Sequence, residues 1–260
     1  MKQPLAYVHP DAKIARSVVI DPFVTIEKNV EIGDGTTIGS NVTILEGVRI
    51  GKNCRIFPGA VIGAIPQDLK FKGEESLVII GDNTTIREFV TVNRGTTAKG
   101  KTVVGDNCLL MAYCHVAHDC IVGNNVIMGN VTQLAGEVEI GDFAILGGGT
   151  LVHQFTRIGA HCMIQGGSKV TKDVPPYVTA GREPLSFAGV NSIGLRRRGF
   201  TNDQIREIQD VYRYIFQSKE KNVSHALERI QQELPATKER DEIILFIKDS
   251  PRGIIKSYFD

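Results

Sequence analysis

The sequence predicts a mostly β solenoid, a parallel β-helix of six-residue repeats, followed by an α-helical unit. Three observations predict it. Aliphatic residues recur at every sixth position from Val8 to Val170, where 25 of the 28 sites in one phase are Val, Ile, Leu or Met. Small or β-branched residues hold the position two earlier, as at Ala12, Val18, Thr36, Cys54, Thr84, Thr96, Val126, Thr150 and Ser168. The composition, with 27 glycines and no tryptophan in 260 residues, suits a chain of many tight turns. A period of six fits neither a helix nor an array of hairpins. It fits hexapeptides that each give one short strand and a turn, with the aliphatic and small sites both pointing inward.

The elements follow in order. Ten sites run unbroken from Val8 to Ile62. Glycine commonly follows the aliphatic site and Asp or Asn comes next, as in Gly81-Asp82-Asn83 and Gly105-Asp106-Asn107, which turns the chain. The pattern then fails at Asp68, Glu74 and Ala98. Two excursions are therefore expected, at about 64–78 and 94–102, and long loops on a rigid solenoid often carry function. A plain surface insertion is the equal alternative. The repeat resumes from Val104 to Val170 and stops near Asp173-Val174-Pro175-Pro176. Residues 187–260 read as helical. Thr201 to Gln204 is a capping-box pattern, Ile205, Ile208, Tyr212, Ile215 and Phe216 follow at helical spacing, and further helices are expected over 223–234 and 239–248. The division is thus a β-helix over 1–186 and an α-helical domain over 187–260 that caps the open end, where strand edges would otherwise stand unpaired.

The charge balance gives a formal net charge of +1, so nothing argues electrostatically for nucleic acid or a membrane surface. No run of apolar residues is long enough to span a bilayer, and the first twenty residues lack the apolar core of a signal peptide. The expectation is a soluble, cytoplasmic protein. Cys54, Cys108, Cys114, Cys120 and Cys162 all fall on the small inward site, so they read as buried hydrophobes rather than as disulfides, ligands or nucleophiles.

The hexad pattern resembles the hexapeptide-repeat transferases. That resemblance implies three hexads per coil, a left-handed parallel β-helix and a homotrimer. With 18 residues per coil, His118, Gly136 and Gln154 share one column, with His153 in the next. Coils about 4.8 Å apart would bring the three together. A histidine near neutrality suits a general base, and a glycine backbone N–H suits an oxyanion. From the residues alone, a polar trimer interface is an equal reading. Zinc held by His115, His118 and His153 is a third, disfavoured because only two residues separate His115 from His118.

Specific segments narrow the resemblance to the UDP-N-acetylglucosamine O-acyltransferase family. They are Gln67-Asp68-Leu69-Lys70, Arg94-Gly95-Thr96, Ala117-His118-Asp119-Cys120, Leu134-Ala135-Gly136, His153-Gln154-Phe155, Asp173 to Val178, Gly189-Val190-Asn191 and Arg197-Arg198-Gly199-Phe200. The resemblance implies acyl transfer from acyl carrier protein to the 3-hydroxyl of UDP-N-acetylglucosamine, with no metal and no cofactor. It makes His118 the base, Asp119 its support and Gly136 the oxyanion donor. Asp68 and Lys70 would contact sugar or nucleotide, and His115, His153 and Gln154 would line the pocket. Asn191, Arg197 and Arg198 would grip the nucleotide. Without the resemblance, Arg196 to Arg198 read as a solvated helix face. Gly166 matches the position that limits acyl length, which implies a long 3-hydroxyacyl chain. Asn93, Glu137 and Ile193 depart from the family pattern. The alternative is an acetyl-CoA-dependent acetyltransferase on the same fold.

Overall fold

The computed structural model describes residues 5–217 and 222–257. Among the described residues, the hexads form short parallel strands stacked into three sheets, of nine, eight and eleven strands, the last of which also takes in strands of the C-terminal part. The inward residues make one continuous core. Ile26, Ile44, Ile62, Val92, Val116 and Leu134 are fully buried, as are the interleaved small sites Val24, Val42, Cys54, Thr84 and Ala144. Burying an aliphatic side chain of this size stabilises by roughly 1.5–3 kcal/mol gross, largely offset by ordering the chain.

The register sets the coil length. Val116 pairs with Leu134 and Leu134 with Val152, eighteen residues apart each time. The turns are locked by an Asp/Asn ladder. The Lys52 N–H donates to Asp82 Oδ1 at 2.7 Å, that of Asp82 to Asp106 at 2.7 Å, that of Asp106 to Asn124 at 2.8 Å and that of Asn124 to Asp142 at 2.7 Å. The following Asn53, Asn83, Asn107 and Asn125 take φ of 54 to 57°, which asparagine tolerates well.

Both excursions are present, slightly shorter than expected. One joins the strand Val61–Ala64 to Leu77–Ile80, the other Thr91–Asn93 to Lys101–Val104. Ile62 pairs with Val92, thirty residues on, and Ile80 with Val104, twenty-four on, so the loops lengthen their coils by about two hexads and one without breaking the stack.

The C-terminal part departs from the sequence reading at its start. Residues Ser186–Val190 are a strand, antiparallel to Val178–Gly181, not a helix. The last coil presents an open edge whose N–H and C=O groups need partners, and this strand supplies them. Lys256–Ser257 pairs alongside in turn. Among the described residues four helices follow: α1 (Ser192–Arg197), α2 (Asn202–Phe216), α3 (Val223–Glu233) and α4 (Lys238–Lys248). The capping box forms at α2, with Thr201 and Gln204 bonded reciprocally. That helix buries Ile205, Ile208, Val211, Tyr212 and Ile215, and its Tyr212 hydroxyl donates to Pro176 O at 2.5 Å. Tyr177 reaches Glu242 of α4 at 2.5 Å. Among the described residues no helix is long and apolar enough to cross a membrane.

Candidate active site

His118 follows the strand His115–Val116, at the corner between the nine-stranded and eight-stranded sheets. Its side chain is 18% exposed, while Asp119 beside it is wholly buried. The imidazole Nδ1 lies 2.8 Å from Asp119 Oδ2. The second excursion folds over this carboxylate. The Thr96 N–H donates to both oxygens at 3.0 and 3.1 Å, the Thr96 hydroxyl to Oδ2 at 2.6 Å and the Lys99 N–H to Oδ1 at 3.1 Å. The Asp119 N–H is itself held by Thr102 Oγ1 at 2.9 Å. Burial works against a charged Asp119. The bonds from Thr96, His118 and Lys99 outweigh it and hold the carboxyl below its ordinary range. The excursion can come this close because residue 95 is glycine, where a Cβ would stand 2.3 Å from the Lys101 nitrogen.

An ionised carboxylate only accepts hydrogen bonds, so it places the proton on Nδ1 and leaves Nε2 as the free base nitrogen. Nε2 faces the next coil at Gly136. A Cβ there would be 2.5 Å from Nε2, so the missing side chain makes room for the imidazole itself, not only for a ligand. The Glu137 N–H is occupied by His118 O at 3.0 Å, and the Phe155 N–H by Gly136 O at 3.1 Å. Among the described residues none accepts from the Gly136 N–H, which leaves it available to an incoming oxygen. Gln154 follows in the same column and is exposed, as is His153, whose Nδ1 lies 3.0 Å from Gln154 O. His115 is half-buried with Nδ1 2.7 Å from Thr91 Oγ1, and burial, then the neighbouring His118, lower its pKa and favour the neutral ring.

The first excursion joins this corner through the second. Asn93 Nδ2 donates to Ala64 O at 3.3 Å and Ile65 O at 2.9 Å, Arg94 lies 5.4 Å over the Phe71 ring, and the Thr97 N–H reaches Glu74 at 3.3 Å. Lys70 is exposed, and Asp68 Oδ1 accepts from its N–H at 2.9 Å.

The remaining expected residues lie elsewhere in the chain. Gly166 sits on a different corner, in a column with Gly148, where its Cβ would be 3.0 Å from Gly148 O. Asn191 caps α1: its side chain accepts from the Gly194 N–H at 3.2 Å and donates to His161 O at 2.9 Å, so it is engaged within the fold. Arg197 is exposed. Arg198 is not on a solvated face. It packs 5.4 Å over Phe143, the first ring of a stack with His161 and Tyr177 at centroid spacings of 4.9 and 5.5 Å, and its Nη1 is buried with no hydrogen-bond partner among the described residues. The five cysteines are free and buried, and burial pushes the thiols of Cys108 and Cys114 up to about 11 and those of Cys120 and Cys162 to about 12.

Sequence reasoning missed Thr96, Lys99 and Thr102. Thr96 was placed on the small inward site of the core, yet it belongs to the Asp119 cradle. The failed aliphatic site at Ala98 was the available signal, because a threonine in a broken hexad has no core to fill.

Comparison with known proteins bears on this geometry. The family profile described as UDP-N-acetylglucosamine O-acyltransferase, domain 2, matches residues 173–255. The bacterial transferase hexapeptide profile matches 101–136, and that of the GMPPB C-terminal domain matches 2–106. A relative from Trichlorobacter lovleyi, named acyl-[acyl-carrier-protein]–UDP-N-acetylglucosamine O-acyltransferase, is 52% identical over 96% of this chain and 97% of its own. One of the same name from Aquifex aeolicus is 61% identical over 77% of each chain. The crystal structure of a UDP-N-acetylglucosamine acyltransferase from Bacteroides fragilis superposes with a TM-score of 0.96 at 57% identity, covering 98% of this chain and 100% of that one. The solenoid is a left-handed parallel β-helix with C-terminal helices.

Proposed function

The chain belongs to the UDP-N-acetylglucosamine O-acyltransferase family, and from that premise we propose that it moves a (3R)-3-hydroxyacyl group from acyl carrier protein to the 3-hydroxyl of UDP-N-acetylglucosamine, the first step of lipid A synthesis. The observation that carries the residue roles is the buried Asp119 bonded to His118 Nδ1, with Nε2 directed at a glycine whose N–H is free. His118 Nε2 removes the proton of the sugar 3-hydroxyl as its oxygen attacks the thioester carbonyl. The Gly136 N–H meets the developing oxyanion. Asp119 stabilises the imidazolium. Collapse expels the carrier thiolate, which takes the proton back from Nε2. The donor is already an activated ester, so these steps call on no metal or cofactor.

Asp68, Lys70, His115, His153 and Gln154 bind the acceptor around this corner. Asn191 acts through its cap, fixing the start of α1, while Arg197 and Arg198 meet the nucleotide phosphates. His118, Gly166 and Arg198 occupy three different corners of one chain. A compact site therefore draws corners from more than one copy, which supports a homotrimer with sites between subunits, acting in the cytoplasm. Gly166 carries no side chain at the position that limits acyl length in the family it resembles, which supports a long chain.

The test is mass spectrometry of the product after incubation with UDP-N-acetylglucosamine and either hydroxyacyl-carrier proteins of several lengths or acetyl-CoA. An acylated nucleotide sugar from the carrier-protein donors is expected. Turnover of acetyl-CoA alone would favour a small-molecule acetyltransferase.

A further inference from the structure

The Asp119 carboxylate is saturated by donors, and one of them has no other place to put its proton. Ionised, the group offers about four lone-pair sites. His118 Nδ1 and the Thr96 hydroxyl share Oδ2 at 2.8 and 2.6 Å, the Lys99 N–H takes Oδ1 at 3.1 Å, and the Thr96 N–H is split between the two oxygens. The Thr96 hydroxyl oxygen also accepts the Ala98 N–H at 3.1 Å. Its single proton is thereby directed at Asp119. The 2.6 Å separation is that of a hydroxyl bonded to a charged oxygen. Among the described residues, Thr96 and His118 are the two side chains that donate to this carboxylate.

We propose that the Thr96 hydroxyl is a positioning group for the base: by donating to the oxygen that also receives the imidazole N–H, it fixes the carboxylate plane and the imidazole tautomer through the reaction. The proposal rests on the reading of His118 as the base. The hydroxyl adds two things to what the backbone donors supply. It strengthens the hold of the Thr96 and Lys99 N–H groups against rotation of the carboxylate about its Cβ–Cγ bond, which would carry Oδ2 away from the ring. It also draws on the charge of Oδ2 and makes that oxygen less basic, so the proton stays on Nδ1 and the imidazole keeps the tautomer that leaves Nε2 as the base. Substrate contacts lie on the other side of the ring, at Nε2, so the effect belongs to the chemical step and not to binding.

The experiment compares Thr96→Val, Thr96→Ala and Thr96→Ser with the native enzyme in steady-state acyl transfer, with thermal melting of each variant and His118→Ala alongside. Val keeps the shape and the backbone N–H but removes the hydroxyl, Ala removes it without risk of a clash, and Ser restores it. The expected result is a fall in kcat of about tenfold or more for Val and Ala, with KM for both substrates within about twofold, and kcat for Ser within about threefold of native. A kcat for Val and Ala within about twofold of native would overturn the proposal. So would a Ser variant as slow as Val, since that would mean packing of the methyl group, or a rise in KM at constant kcat. An inactive His118→Ala beside unimpaired Thr96 variants would sink the Thr96 claim alone. An active His118→Ala would remove the base, and the proposal with it.

Discussion

A buried carboxylate beside a half-buried imidazole serves a proton transfer only while it stays ionised. At Asp119 burial works against the charge, and the donors of one loop together with His118 turn the balance. Replacing Asp119 with Asn puts an amide donor where Nδ1–H needs an acceptor and favours the other tautomer. The expected outcome is a loss of kcat on the order of 10²–10⁴-fold with little change in KM, read by steady-state kinetics. His161 presents the opposite case. Burial first, and Arg198 second, push its pKa down to about 4, so the folded chain holds this ring neutral between Phe143 and Tyr177. A folded pKa below that of the free side chain means the unfolded chain binds the proton more readily. The stability from the neutral ring is full above about pH 6.5 and is lost as pH falls towards 4. His161→Phe keeps the stack and removes the titration, so its melting temperature should fall less between pH 7 and 5 than that of the native protein. Much of this scale was legible in the sequence. His118, Gly136 and Gln154 were readable as one column once the coil length was assumed, and the cysteines as buried. The Thr91–His115 contact was not, because those residues lie twenty-four apart and the offset depends on the length of a loop.

At the scale of elements, the second excursion is the part on which the proposed catalytic corner depends. It is tied at its far end by an ion chain. Lys99 Nζ donates to Glu139 at 2.8 Å, Arg157 lies 3.6 Å from the same carboxylate, and Arg157 goes on to the Asp249 carbonyl at 2.6 Å and the Phe246 ring of α4 at 4.6 Å. The Lys99–Glu139 pair is partly exposed, so its worth is at most about 1 kcal/mol and salt weakens it. Glu139→Gln should therefore slow acyl transfer by no more than about fivefold, and the difference from the native enzyme should shrink at high salt. A difference that salt leaves unchanged would mean that the pair does not hold the loop. The sequence showed that this loop exists, because a failed hexad is a clear signal. It did not show what the loop holds, since the Thr96 and Lys99 N–H groups that meet Asp119 carry no sequence mark, and the Thr96 hydroxyl stands at a position that reads as core. Residues 187–190 of the strand Ser186–Val190 were read as helical for a related reason: their partner edge exists only once the solenoid has been built.

The whole molecule is three columns of corners on one rigid stack, and the residues assigned to the reaction are spread over all three. If neighbouring copies bring those corners together, inactive chains should complement each other. Mixed trimers of His118→Ala and Arg198→Ala chains, refolded together, should regain about a quarter of native activity, because a random trimer pairs an intact base corner with an intact nucleotide corner at roughly one site in four. No recovery would place both corners in one chain's site. The central claim, that His118 deprotonates the sugar hydroxyl for acyl transfer, is tested most directly by the product mass spectrum of His118→Ala against the native protein, with hydroxyacyl-carrier protein and UDP-N-acetylglucosamine. The account predicts an acylated nucleotide sugar from the native chain and at least about a hundredfold less from a variant with an unchanged melting temperature. Equal product from both would contradict it.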